Sequence, residues 1–252
     1  MSDRTSAFPS VKSAGRTIEL FEEFARAKRP MSLSEIAAAL KMPMSSCSGL
    51  VRTLEAAGYL YALRQRSGFY PTKRLLEVAT TIAANDPLLE RARPLLSALR
   101  DETGETVLFG KRQDTRIVYL EAFDSPHRIR YSAQAGELRD LHSNSMGKAL
   151  LARLPAAERA ALLARLTFQA HTPDTLTDAR ALERSIAEGQ ARGWFLNRAE
   201  SVADVMALGA AVVLNGEPYG VSLVGPIQRM EPQVDRHVAA LRRTCALLEE
   251  QR

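Results

Sequence analysis

The chain has 252 residues, 46% hydrophobic and 25% charged, with a formal net charge of +5; this is enough for two modest domains with separate cores and excludes a disordered or fibrous composition. Its two cysteines, Cys47 and Cys245, sit on apolar helical faces with no Cys or His at metal-ligand spacing, so neither a disulfide scaffold nor a metal centre is expected. The chain shows no basic-then-apolar leader and no apolar run of eighteen residues, so a cytoplasmic protein without membrane spans is expected.

Charge is unevenly distributed, because residues 1–74 hold twelve Lys or Arg against six Asp or Glu while residues 75–252 hold 22 against 23. Any anionic partner is therefore expected at the N-terminal third. The first ten residues read as a disordered tail. In VKSAGRTIELFEEFARA (11–27), Ile18, Phe21, Phe24 and Ala25 share a stripe and predict a first helix. Ser32 and Glu35 then have the spacing of a capping box, in which each side chain satisfies a free donor of the first helical turn. Ile36, Ala37 and Leu40 supply that second helix with its buried stripe, and Pro43 breaks it.

A third helix begins at Met44 or Ser45 and places Cys47, Leu50, Val51, Leu54 and Ala57 on one face. Its opposite face shows Ser45, Ser48, Gly49 and Arg52, with Ser46 and Thr53 at the margins. That face is small, polar and singly basic, which a DNA major groove accepts. Gly58 ends the helix. Tyr59–Leu63, a basic turn carrying Arg64 and Arg66, and Phe69–Pro71 read as a hairpin. Helix, turn, helix and hairpin over residues 1–71 form a winged helix-turn-helix, with both arginines at the tip of the wing.

Residues 72–86 read as a linker helix ending at Asn85-Asp86-Pro87, and residues 87–252 as a second domain. Leu88–Glu102 is a helix in which Pro94 predicts a kink or restart. Glu105–Gln113, Arg116–Ala122 and Arg128–Ala133 alternate as strands, the first two about a turn at Asp114-Thr115. A polar loop, Leu141–Lys148, leads into a helix over Ala149–Arg153. Further helices follow at Pro155–Leu166 and Asp178–Arg192, the latter capped by Thr177 or Asp178. Leu208–Leu214 and Tyr219–Val224 form a hairpin about Asn215-Gly216, the strongest two-residue turn signal, and Val234–Glu250 closes the chain as a helix. The pattern predicts an α+β domain with a mainly antiparallel sheet.

Ser145 and Lys148 match the S-x-x-K spacing in which a lysine activates a serine nucleophile, but no S-D-N, K-T-G or G-x-S-x-G companion occurs. No phosphate loop or zinc-protease motif is found, and the four histidines are scattered, so no cofactor, metal or catalytic residue is expected. A polar loop opening a helix instead offers free amides and a positive dipole end to an anion such as a carboxylate.

The stretches SLSEIAAALKMPMSSCSGLVRTLEAAGYL and LHSNSMGKALLA, in this order over nearly the whole chain, resemble the IclR family of bacterial transcription regulators. The resemblance implies a GAF-like C-terminal effector domain and a pocket for small organic acids. Carried onto this chain, the pocket positions are Ser145, Met146, Asn197, Ala207, Ser222 and Val224. Many members carry a basic residue at Gly49, an acidic one at Asn197 and a cysteine at Ala207. The smaller, uncharged residues here favour an aromatic or branched acid over a two-carbon one.

The expected function is a DNA-binding regulator of a double-stranded operator, acting as a homodimer or homotetramer and tuned by a small organic acid. Ile18, Phe21, Leu75, Leu76 and Val78 are available for contact between copies. The competing readings are a ligand sensor acting on a protein partner and a Ser145/Lys148 acyl hydrolase.

Overall fold

The computed structural model describes residues 11–63 and 68–250, which divide into two compact units between Asp86 and Pro87. The expected N-terminal tail and the wing-tip arginines Arg64 and Arg66 lie outside the described residues.

The first unit contains α1 (Lys12–Ala27), α2 (Leu33–Ala39), α3 (Met44–Ala56), the hairpin β1 (Leu60–Leu63) and β2 (Gly68–Pro71), and α4 (Arg74–Ala84). Helix α1 buries Leu20 and Phe24, whereas Ile18 is 63% exposed and Ala25 is exposed, so the buried stripe is rotated from the expected one. On α3 the buried face is Cys47, Val51 and Leu54. Leu50 is only partly covered, and Ala57 is an exposed cap residue outside the helix. Gly58 follows at φ 78°, a left-handed conformation that costs glycine little. No residue of α4 is buried within this unit, and Leu76 and Ile82 stand exposed on it.

The capping box on α2 is complete. Ser32 N donates to Glu35 Oε2 (2.8 Å), and Glu35 N donates to Ser32 Oγ (3.3 Å). The backbone bond from Ser32, with the Arg29 guanidinium beside it, lowers the Glu35 carboxyl from its usual 4.5 to about 2. A depressed carboxylate stabilises the fold fully above its unfolded pKa and loses that contribution as pH falls through the folded one. A parent-minus-Glu35→Gln difference in thermal stability should therefore shrink from pH 4.5 toward pH 2. A difference that stays constant across that window would remove the capping carboxylate from the account.

The second unit is a six-stranded antiparallel sheet in the order β5-β4-β3-β8-β7-β6, with helices on both faces. Its elements are α5 (Pro87–Thr103), β3 (Thr106–Gln113), β4 (Arg116–Phe123), β5 (Leu138–Asp140), α6 (Ser145–Ala152), α7 (Ala156–Leu163), α8 (Ala179–Arg192), β6 (Phe195–Arg198), β7 (Val205–Leu214), β8 (Glu217–Pro226), short α9 (Ile227–Met230) and α10 (Val234–Glu250). Alternation along the strands divides the core. Val107, Phe109, Leu208, Val221 and Leu223 pack against α5 and α10, while Leu108, Ala207 and Val224 pack with Met146, Ala149, Leu182 and Ile186 of α6 and α8. The β7–β8 turn uses Asn215 and Gly216 at φ 53° and 80°, as an Asn-Gly hairpin requires.

Three expectations are corrected. Helix α5 does not restart at Pro94 but spans Pro87–Thr103 as one helix, because burial of Leu89, Leu96 and Leu99 at roughly 1.5 to 3 kcal/mol each outweighs the roughly 3 kcal/mol cost of an internal proline. Arg128–Ala133 is not a strand: Ile129 is 78% exposed, and the Tyr131 carbonyl accepts from the side-chain Oγ1 of Thr106 on β3 (2.5 Å), a side-chain contact and not a rung of a backbone ladder. The outer edge of β4 is taken by β5, whose Leu138 pairs with Val118 and whose Asp140 pairs with Arg116. Finally, α6 begins at Ser145, four residues earlier than expected, because Asn144 caps it through bonds to the amides of Met146 (3.0 Å) and Gly147 (3.4 Å). The short edge strand β6, unforeseen in the sequence, pairs Asn197 with Ala207. No helix among the described residues is long and apolar enough to cross a membrane.

Candidate functional site

Helix α3 displays the residues expected to read DNA on two faces. Ser45 and Arg52 are exposed and Ser48 is partly so. Among the described residues the Arg52 guanidinium has no hydrogen bond or ion pair to hold it back. Ser46, Gly49 and Thr53 instead line a groove of about 710 Å3 beside α1, to which Lys12, Arg16 and Lys41 also contribute. Sequence periodicity located the serines and Arg52. The cationic groove was not legible, because Lys12 and Arg16 reach it from another helix and Lys41 from the turn at φ 49°. A Cβ added at Gly49 would meet nothing within 4 Å, so the backbone there has room for a larger side chain.

The six positions carried over to the effector domain are all buried and face the α6 side of the sheet. Ser145 Oγ and Ser222 Oγ are 2.8 Å apart, with Ser222 also donating to Leu208 O (3.3 Å). Asn197 Nδ2 donates to Ser143 O (2.6 Å) and Ser201 Oγ (3.2 Å), and its Oδ1 accepts from Glu200 N (3.0 Å), so it pins two loops together. Ala207 and Val224 are cross-strand partners. The start of α6 rests directly on the strands: a Cβ at Gly209 would come within 2.6 Å of the Ser145 carbonyl carbon, and one at Gly220 would run into the Met146 side chain. The expected free amides at this helix start are occupied at Met146 and Gly147 by the Asn144 carbonyl oxygen. The six residues therefore converge as packed interior.

The serine and lysine of the S-x-x-K motif are engaged elsewhere. Lys148 is fully buried, and its ammonium donates to Leu196 O (2.7 Å) and Glu200 Oε1 (2.6 Å), while Ser145 shares its hydrogen bond with Ser222. Burial pushes the Lys148 ammonium below its ordinary range, and the adjacent Glu200 carboxylate opposes that.

Beside the cap of α6 lies an open cleft of about 250 Å3 that sequence reasoning missed. Arg116 and Tyr119 of β4, Arg139 of β5, Tyr131, Asn144 and His171 border it. Asp140, also on its wall, binds both Arg116 Nε (3.1 Å) and His171 Nε2 (2.8 Å).

Comparison with known proteins covers both units. Residues 13–64 match the IclR helix-turn-helix domain, and residues 80–248 match the bacterial transcriptional regulator IclR C-terminal family. Over 236 residues the chain is 26% identical to the HTH-type transcriptional repressor AllR of Klebsiella pneumoniae, covering 93% of this chain and 86% of that protein. It is also 26% identical over 224 residues to the transcriptional repressor IclR of Escherichia coli, covering 87% and 82%. Its fold superposes with a TM-score of 0.76 on an IclR homolog from Microbacterium hydrocarbonoxydans complexed with 4-hydroxybenzoate, at 21% identity over 94% of this chain and 98% of that one.

Proposed function

Because the chain belongs to the IclR family of bacterial transcriptional regulators, we propose that it binds a specific operator through α3 and that a small organic acid, bound by its C-terminal unit, sets the affinity. The observation that carries the DNA reading is the outer face of α3, where Ser45, Ser48 and Arg52, which has no hydrogen bond or ion pair among the described residues, are presented by the basic third of the chain. Lys12, Arg16 and Lys41 beside it supply sequence-independent attraction to phosphates, and Arg64 and Arg66 of the wing are assigned the same role. Two copies reading two half-sites supply the specificity that one small module lacks, and the exposed apolar residues Ile18, Leu75, Leu76 and Ile82 are available to pair them.

The acid reading is supported by the gathering of Ser145, Met146, Asn197, Ala207, Ser222 and Val224 at one end of the sheet, and by a neighbour of the same fold that holds 4-hydroxybenzoate. A ligand shifts operator affinity only through unequal affinity for the DNA-bound and free states. Entry of an acid near the α6 cap would supply that inequality by disturbing the packing of α6 against the strands.

The test is selection of a preferred duplex from a random pool, followed by titration of Arg52→Ala. The variant should lose about 1 to 3 kcal/mol on the selected duplex and much less on random DNA. Equal losses on both would remove Arg52 from base reading, and failure to enrich any sequence would favour a sensor acting on a protein partner.

A further inference from the structure

The groove between α1 and α3 combines two surfaces that attract different chemistry. Met42 and Leu50, half-buried against the core of the N-terminal unit, line it together with Ala14 and Pro43. Two threonines on its walls add to that apolar character, because each hydroxyl is spent on its own helix. Thr17 Oγ1 donates to Ser13 O (3.0 Å) and Thr53 Oγ1 to Gly49 O (2.9 Å). The cationic side chains of Lys12, Arg16 and Lys41 border the same groove. A small free anion would leave the apolar lining unused, and a neutral apolar molecule would leave the cations unused.

Gly49 joins this groove to the outer face of α3. With about 3.6 residues per turn it falls nearly opposite the buried Cys47, Val51 and Leu54, in one row with Ser45 and Thr53 and beside Arg52. That row stands low, because Gly49 has no side chain and a Cβ added there would meet nothing within 4 Å. A base edge lying along α3 can therefore reach the helix backbone and the groove behind it.

In the major groove of DNA the one apolar group on a base edge is the 5-methyl of thymine. The phosphates of the same strand lie beside it and carry the negative charge. A thymine methyl set against Met42 and Leu50, with flanking phosphates on Lys12 and Lys41, answers both surfaces of the groove at once.

We propose that the α1–α3 groove reads the 5-methyl group of a thymine in each operator half-site, and that Gly49 is the specificity-determining residue because its missing side chain leaves the groove open to the base. This rests on the operator reading above and deepens it. Arg52 supplies hydrogen-bond donors to one base pair, best matched by the O6 and N7 of a guanine, and the groove supplies an apolar seat for a neighbouring one.

The selected duplex is rebuilt with each thymine in turn replaced by uracil, which removes the methyl and keeps every hydrogen-bonding group, and is titrated with the full chain. One replacement per half-site should cost about fourfold in affinity, the value of a single buried methyl. Gly49→Gln, for which the backbone has room, fills the mouth of the groove. It should weaken the selected duplex by about tenfold, leave random DNA nearly unchanged and erase the uracil penalty at that position. Erasure of a single-methyl effect is a readout that a merely less stable helix does not produce. A selected duplex without thymine, a uracil penalty below about twofold at every position, or a penalty undiminished in Gly49→Gln would overturn the assignment while leaving a sequence-selective α3 standing. Octanoate, which is apolar and anionic in one small molecule, is titrated alongside. Saturable octanoate binding that Gly49→Gln removes, with no uracil penalty, would make the groove a site for amphiphilic acids and overturn the assignment as well. Failure to enrich any duplex would take down the operator reading and this assignment together.

Discussion

Glu200→Ala is expected to destabilise the C-terminal unit by about 3 to 5 kcal/mol, because it leaves the Lys148 ammonium buried with its counter-charge removed. The loss is large because Lys148 is 0% exposed at its side chain and water cannot take the place of the carboxylate. Leu196 O remains as a partner but answers only one of three N–H donors. The converse experiment separates charge from packing. Among the described residues Glu200 Oε2 is itself buried without a hydrogen bond, so the pair is imperfectly satisfied and its net contribution is far smaller than the cost of breaking it. Lys148→Met combined with Glu200→Leu should therefore regain most of the stability lost in Glu200→Ala. Denaturant titration of the three proteins decides the matter. A double variant as unstable as the single one would show that Glu200 matters for its shape or its loop and not for its charge.

Gly147→Ala should be the second large effect, and its sign runs against helix propensity. In a helix interior alanine normally gains roughly 0.5 to 1 kcal/mol over glycine. The same change at Gly15 of α1, where an added Cβ meets nothing within 4 Å, should show that gain. At Gly147 the added carbon would press into the Leu141 carbonyl, a backbone atom that cannot rotate away, so a loss of about 1 to 3 kcal/mol or more is expected. Thermal melts of the two variants should move in opposite directions. Parallel stabilisation would mean that α6 has freedom to lift from the loop before it, and that the close packing of its first turn is not a constraint. Gly220→Ala should destabilise as well, since its added carbon would run into Met146 Cγ, near the base of a fully buried side chain.

These effects mark where sequence reading succeeded and where it could not. Ser32 with Glu35, Asp178 before its helix, Asn215-Gly216, and the order of helix, turn, helix and hairpin were legible, because each is decided within a few residues by capping, turn or periodic burial. The serines and Arg52 on α3 belong to the same class, since a helix repeats its faces wherever it is placed. The third outer strand was not of that kind. Arg128–Ala133 and Leu138–Asp140 compete for one edge of β4, and the choice fell to the segment whose approach lets Gly136 N reach Tyr119 O (2.7 Å) and Tyr119 N reach Glu137 O (3.0 Å). Composition alone favours the wrong one.

The effector end shows the same division more sharply. A serine, a lysine and a polar loop could be picked out as chemistry, but their partners lie 77 residues away for Ser145 and 52 for Lys148. No periodicity records such pairings. The cleft at Arg116 and Arg139 exists because an edge strand, the cap of α6 and the loop bearing His171 close on one another, and each contributes side chains that look like ordinary solvated charges along the chain. Local sequence determined which helices and turns form and which residues share the outer face of α3; only the tertiary structure decided which polar groups are buried, satisfied or left open, because that depends on burial by segments distant in sequence.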